Sequence, residues 1–366
     1  MKRLLLGLVV LVLGAGVAWR VLGGLPGLVA TTLPEFPEFP APTRALTTDT
    51  QGTVYFASET PFDFEVLLDE SIAAQPTTGT GTLTLPPGAS PATPVPAAVV
   101  LHGSGGIAPG REHEYAAFLA EHGIAALVVD YYAPRGMTPE TPYALRVVSV
   151  TEFDAVADAY GALDLLARHP AIDPDRIALM GFSYGGMAAR IAMDERVRRT
   201  LAPERNGFAA FVDFYGPCFQ AFGTEATNGA PLLTLRGTED RSNDLAACRE
   251  REAELRALGV TVESRVYPGA AHAWENHAPR ALREDAPYVA GCTFRYDPRG
   301  RPAVRGVPIA DLPADASRAD RIAARMQSGR TLLDCVKTGY IVGRDDTTHE
   351  KAQAALLAFL RGPLGP

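Results

Sequence analysis

The stretch Ile177-Ala178-Leu179-Met180-Gly181-Phe182-Ser183-Tyr184-Gly185-Gly186-Met187-Ala188 sets a serine between two glycines, after an apolar run and before small, helix-forming residues. A strand that turns abruptly into a helix holds such a serine in a strained backbone, with its hydroxyl projecting at the strand end. Gly181 and Gly185 supply the space this turn needs, and the N-terminus of the following helix offers partial positive charge to a developing oxyanion. The bland alternative is a glycine-rich turn that merely contains a serine; the apolar strand before it weighs against that. A serine hydroxyl is a weak nucleophile at neutral pH, so it needs a base, and the base needs an orienting acid.

Both occur downstream, after further apolar runs. Leu232 to Leu235 leads into Arg236-Gly237-Thr238-Glu239-Asp240, and Asp240 is the expected acid, with Glu239 and Asp244 as alternatives. The run ending at Val266 leads into Tyr267-Pro268-Gly269-Ala270-Ala271-His272, and His272 is the expected base. His277 is its local rival; His113, His122 and His169 lie in or beside helical stretches, and His349 opens the last one. An oxyanion needs two backbone N–H donors. Tyr184 supplies one, and the turn Leu101-His102-Gly103-Ser104-Gly105-Gly106 is expected to supply the other from Ser104, or from Gly105. A phosphate loop is a poor reading of this turn, since no Gly-Lys-Ser/Thr follows it.

The elements that must position these residues alternate. Apolar runs at Ala97 to Leu101, Ile124 to Val129, Ile177 to Met180, Ala209 to Phe214, Leu232 to Leu235 and Val260 to Val266 read as strands. Helical stretches run from Glu112 to Glu121, from Thr151 (a capping residue) to Arg168, and from His349 to Leu360. Fully apolar strands alternating with helices predict a mostly parallel, doubly wound sheet buried on both faces, in three layers. Sites in such sheets lie at the carboxyl ends of the strands, where the candidate residues fall.

Taken together, His102-Gly103-Ser104-Gly105-Gly106, Asp130-Tyr131-Tyr132, Ile172-Asp173 with Arg176-Ile177, Gly181-Phe182-Ser183-Tyr184-Gly185-Gly186, Gly237-Thr238-Glu239-Asp240 and Tyr267 to His272 resemble the dienelactone hydrolase family. The likeness runs from about Thr80 to Asn276, plus the terminal helix. It implies the α/β-hydrolase fold and hydrolysis of carboxylic esters or lactones without metal or organic cofactor. The chain departs from the family's namesake in carrying Ser183 where that enzyme has a cysteine nucleophile. Two other readings stay open: a peptidase of the prolyl-oligopeptidase type, though no propeller domain precedes the catalytic motifs, and a non-catalytic fold used for binding.

With 366 residues, 47% hydrophobic and 21% charged, the chain can bury a sizeable core. A net charge of -8 and the lack of any basic block beyond Lys2-Arg3 speak against nucleic acid. A small-molecule ester or lactone is the expected partner. Lys2-Arg3 followed by an uncharged run to Trp19 reads as a secretory signal, or as an uncleaved membrane anchor, over residues 1–30. The expected location is therefore periplasmic or extracellular, with membrane attachment through this segment as an alternative. A proline-rich linker, residues 31–43, precedes a hydrolase domain at 44–366, and an insertion at 278–343 stands before the last helix as a possible cap. Four cysteines fit an oxidising compartment, and their grouping by region favours Cys218–Cys248 and Cys292–Cys335 among the three pairings. Four inert buried thiols are the plainer alternative. The spacings fit no zinc site.

Overall fold

The computed structural model of the protein describes residues 24–365 apart from 70, 73 and 331. Residues 1–23, which carry the charged and apolar start of the expected leader, lie outside the described residues. The remainder of that segment forms a helix, Gly24–Thr32. Among the described residues, no helix is long and apolar enough to cross a membrane.

The strands up to residue 267 are β1 (Gly52–Thr60), β2 (Gln75–Thr84), β3 (Val95–Leu101), β4 (Ala125–Val129), β5 (Ile172–Phe182), β6 (Ala210–Phe214), β7 (Gln220–Ala221), β8 (Leu232–Gly237) and β9 (Val262–Tyr267). All but β7 join one eight-stranded sheet in the order β1-β2-β4-β3-β5-β6-β8-β9. From β4 to β9 the ladders are parallel, as the apolar runs predict. β1 and β2 add an antiparallel edge. That edge escaped the sequence reading because β2, Gln-Pro-Thr-Thr-Gly-Thr-Gly-Thr-Leu-Thr, is polar and glycine-rich rather than an apolar run. One of its glycines is dictated by packing: a Cβ on Gly81 would sit 2.6 Å from the Val128 carbonyl oxygen.

Both faces of β3, β4, β6, β8 and the second half of β5 are buried, whereas the edge strand β9 is half-exposed. Val99, Leu101, Leu127, Val129 and Leu179 pack on one side with the helix Glu152–Ala167. Val100, Val128, Met180, Val212, Leu233 and Leu235 pack on the other with the helices Glu112–Glu121 and Asp346–Leu364. Burial of this kind contributes about 25 cal/mol per Å² of apolar surface, and it leaves the strand ends as the place for polar chemistry. The helix Glu152–Ala167 starts where expected: Thr151 accepts from the N–H groups of Phe153 and Asp154, and Asp154 returns the bond in a capping box.

Beyond residue 277 the chain builds structure of its own. β10 (Ala281–Val289) pairs with β14 (Val336–Val342). β11 (Phe294–Tyr296), β12 (Pro302–Val304) and β13 (Val307–Pro308) form a small sheet that annexes β7, a strand end of the main domain. A helix, Arg318–Gln327, then packs Ile322 and Ala323 against Val29 of the helix Gly24–Thr32 and against Phe62. The proline-rich residues between these regions run without a ladder; Phe36 lies under the Arg318 guanidinium and Phe39 meets Tyr55. The structure joins Cys218 to Cys248 and Cys292 to Cys335, the pairing expected from their grouping.

Candidate active site

Ser183 ends β5 and opens the helix Tyr184–Ile191. Its backbone takes φ 54 and ψ −108, a left-handed setting that a non-glycine residue adopts only when its surroundings impose it. The imposing contacts are local. The Ser183 N–H donates to the Phe214 carbonyl at 2.8 Å. A Cβ on Gly181 would collide with the Gly185 backbone, and one on Gly185 would sit 2.6 Å from the Leu101 carbonyl oxygen. The tight strand-turn-helix read from the sequence is the turn observed.

Three side chains from three strand ends converge here. His272 Nε2 lies 2.9 Å from Ser183 Oγ, and His272 Nδ1 lies 2.6 Å from Asp240 Oδ2. The remaining Asp240 oxygen accepts from the Ser242 N–H at 2.9 Å and the Ser242 hydroxyl at 2.6 Å. Asp240 is 3% exposed. Burial alone would raise its carboxyl, but the His272 and Ser242 hydrogen bonds and the His272 charge hold it below the usual carboxylate range. The alternative acids go elsewhere: Glu239 pairs with Arg280 at the surface, and Asp244 caps the helix Leu245–Ala257. His277 pairs with the exposed Glu114 at 2.8 Å.

The His272 loop owes its shape to the insertion. The His272 N–H donates to Ile341 O, and Gly343 N–H donates back to His272 O, both at 3.0 Å, so the end of β14 carries the loop. Tyr215 and Tyr340 rings flank the imidazole at 4.5 and 5.3 Å. Trp274, fully buried against Tyr215, wedges the loop from below.

The turn at Ser104 is held from outside through its carbonyls. Tyr131 Oη donates to His102 O and Tyr132 Oη to Ser104 O, both at 2.8 Å. Arg146 Nη1 reaches Gly105 O at 2.8 Å and Arg111 Nη2 reaches Gly106 O at 2.9 Å. Among the described residues the N–H groups of Ser104 and Gly105 have no hydrogen-bond partner. Donors of that kind, fixed and unspent, are what an oxyanion requires.

A second polar group surrounds Tyr184. Its hydroxyl donates to Glu152 Oε2 at 2.6 Å, Gln220 Nε2 donates to Glu152 Oε1 at 2.5 Å and to Tyr296 Oη at 3.0 Å, and Arg325 Nη2 donates to Tyr184 Oη at 3.3 Å. Glu152, Gln220, Tyr296 and Arg325 were not legible as a group around Tyr184; no motif marks them, and two lie within residues 278–343. Among the described residues no group of three or more His, Cys, Asp or Glu side chains is arranged to hold a metal ion. A cavity of about 490 Å³ between Thr60–Gln75 and Ala314–Arg321 is lined by none of Ser183, His272 and Asp240.

The chain is 25% identical over 173 residues to a protein of Bradyrhizobium sp named a probable 2-oxo-3-(5-oxofuran-2-ylidene)propanoate lactonase, covering 45% of this chain and 68% of that protein. Among solved structures it is similar to a dienelactone hydrolase-like promiscuous phosphotriesterase from metagenomic libraries, with TM-score 0.46 and 21% identity over 61% of this chain and 84% of that one. A thermophilic esterase of Thermogutta terrifontis gives TM-score 0.40 and 20% identity over 53% of this chain and 79% of that one. The model of the dienelactone hydrolase family matches residues 81–295, which hold β3 to β9 and all three converging side chains, and the chain belongs to that family.

Proposed function

We propose that the protein hydrolyses carboxylic esters or lactones through an acyl-enzyme formed on Ser183. The observation that carries this is the unbroken contact chain from Ser183 Oγ through His272 to Asp240, at 2.9 and 2.6 Å, on a strained elbow. His272 Nε2 takes the hydroxyl proton as Oγ attacks the carbonyl carbon. Asp240 accepts from Nδ1–H, which holds the tautomer and stabilises the imidazolium. The N–H groups of Tyr184 and Ser104, with Gly105 as the alternative to Ser104, receive the oxyanion. Collapse breaks the C–O bond to the leaving alcohol, which takes the proton from Nε2. Water, activated by the same nitrogen, then hydrolyses the acyl-enzyme and returns Ser183. A lactone follows the same steps, with the leaving hydroxyl still tethered to the acyl group.

Support for ester or lactone substrates comes from the family and from the lactonase name of the Bradyrhizobium relative. The insertion at 278–343 acts in this reading as a cap that supplies one wall of the site, since Tyr340 flanks His272 and Arg325 meets Tyr184. Two disulfides and a leader-like N-terminus support a periplasmic or extracellular location, with the leader either removed or left as an anchor.

The test is hydrolysis of a panel of p-nitrophenyl esters and lactones, with fluorophosphonate labelling followed by mass spectrometry. Ser183→Ala is expected to lower kcat by about 10⁴-fold or more and to abolish labelling, with the fold retained. Label on another residue, or a variant keeping a tenth of the activity, would overturn the assignment.

A further inference from the structure

Behind Asp240 stands a side chain that this scheme leaves unused. Asn243 is 4% exposed, and its neighbours accept its amide in one orientation only. Its Oδ1 receives Arg236 Nη1 at 2.7 Å, while its Nδ2 donates to the Tyr215 carbonyl at 2.7 Å and to Asp240 Oδ2 at 2.8 Å. A guanidinium only donates, and a carbonyl or carboxylate only accepts. A flipped amide would therefore set donor against donor and acceptor against two acceptors. Arg236 is itself immobilised, 1% exposed, by Asp213 Oδ2 at 2.7 Å and Gly216 O at 2.8 Å. The Cys218–Cys248 bridge adjoins, with Cys248 Sγ 3.8 Å from Asn243 Oδ1.

The donation falls on a telling atom. Asp240 Oδ1 accepts both bonds from Ser242, whereas Oδ2 accepts one from Asn243 and one from His272. Asn243 and His272 thus share an oxygen. A donor placed on that oxygen fixes the carboxylate plane and draws off part of the negative charge that would otherwise stabilise a protonated imidazole. Arg236 polarises the amide in the same sense from its far side.

We infer that Asn243 is a positioning residue for the hydrolysis: it anchors the Asp240 carboxylate to the buried Arg236 and sets how strongly that carboxylate favours the His272 imidazolium. The inference rests on the reading of Ser183, His272 and Asp240 as the catalytic triad. The other groups facing the pair are Ser242 Oγ at 3.1 Å from His272 Nδ1, and the Tyr215 and Tyr340 rings. Asp213, Arg190 and Glu252 surround Arg236. Of these, only Asn243 both contacts the acid and is tied to a buried cation.

Two variants separate this role from packing. Asn243→Ala removes the donor; Asn243→Asp keeps the size and the Arg236 contact but replaces the donor with a second carboxylate beside Asp240. For each, kcat and KM for p-nitrophenyl acetate and the rate of fluorophosphonate labelling are measured between about pH 5 and 9. The acidic limb of both profiles is expected to move up by about half a unit in Asn243→Ala and by about a unit in Asn243→Asp. kcat is expected to fall about tenfold, with KM within about twofold of the parent. A limb that stays in place in both variants overturns the inference, whatever happens to their melting temperatures. Should Asn243→Ala not fold, the position of the limb in Asn243→Asp decides. His272→Ala provides the separate control: if it still hydrolyses the ester at near the parent rate, the triad reading fails on its own account.

Discussion

Glu275, three residues beyond His272, is fully buried, yet among the described residues no other residue donates a hydrogen bond to either carboxylate oxygen. The Tyr115 hydroxyl, the Trp274 indole N–H and His349 Nδ1 are buried and, among the described residues, unpartnered as well. Burial pushes the Glu275 carboxyl up to about 8, against the pull of Arg111, of its own backbone N–H and of Arg344, and with a further push from Glu112. The folded state therefore keeps a proton that the unfolded chain loses near its ordinary value of 4.5. Between these two values stability falls as pH rises, by about 1.4 kcal/mol per unit at most, and below them the group costs nothing. Glu275→Gln should match the parent in melting temperature near pH 4.5 and exceed it by several degrees at pH 8, measured by calorimetry across pH. An equal gap at both ends would mean that ionisation of Glu275 plays no part.

At the scale of elements, residues 278–343 are tied to the rest of the chain by several contacts. β11 extends from β7, β14 carries the His272 loop, and the helix Arg318–Gln327 delivers Arg325 to Tyr184 and to within 3.8 Å of Glu152. Glu152 starts the helix that packs under β5, so the Tyr184–Glu152 bond ties the residue after Ser183 to a rigid element. Removing Arg325 leaves a buried carboxylate with less compensation, and a hydrogen bond to a charged group contributes about 1.5 to 3 kcal/mol. Arg325→Ala is expected to lower kcat/KM by about tenfold, read from steady-state rates on the best ester of the panel. Unchanged kcat/KM would show that the Tyr184 contact is incidental to the chemistry.

For the molecule as a whole, the two disulfides close loops of separation 30 and 43 and hold different parts. Cys218–Cys248 links the loop after β6 to the helix Leu245–Ala257, next to the acid turn, and Cys292–Cys335 closes the insertion across the β10–β14 pair. Restriction of the unfolded chain makes each worth about 4 kcal/mol in the chain-entropy model. Replacing the second pair by serine should lower the melting temperature and raise hydrogen exchange first in residues 281–342, while β3 to β9 stay protected. Uniform loss of protection across the sheet would show that the insertion and the core unfold as one unit.

Ser183 and its glycines, the strand-end positions of Asp240 and His272, and the parallel order of apolar strands were legible because each is local. A tight elbow demands glycine within two residues, and a doubly buried strand demands an apolar run. The polar edge strands β1 and β2 give no such run, since they are stabilised by their pairing rather than by two buried faces. Tertiary structure turns the Asp240 carboxylate inward to His272 and leaves the two alternatives, Glu239 and Asp244, to Arg280 and to a helix cap. Tertiary structure alone brought Arg325, 141 residues away in the chain, to Tyr184, and Arg236 to Asp213, 23 residues away. Contacts between polar side chains so far apart depend on how the backbone closes around them, and that closure is written in no single stretch of residues.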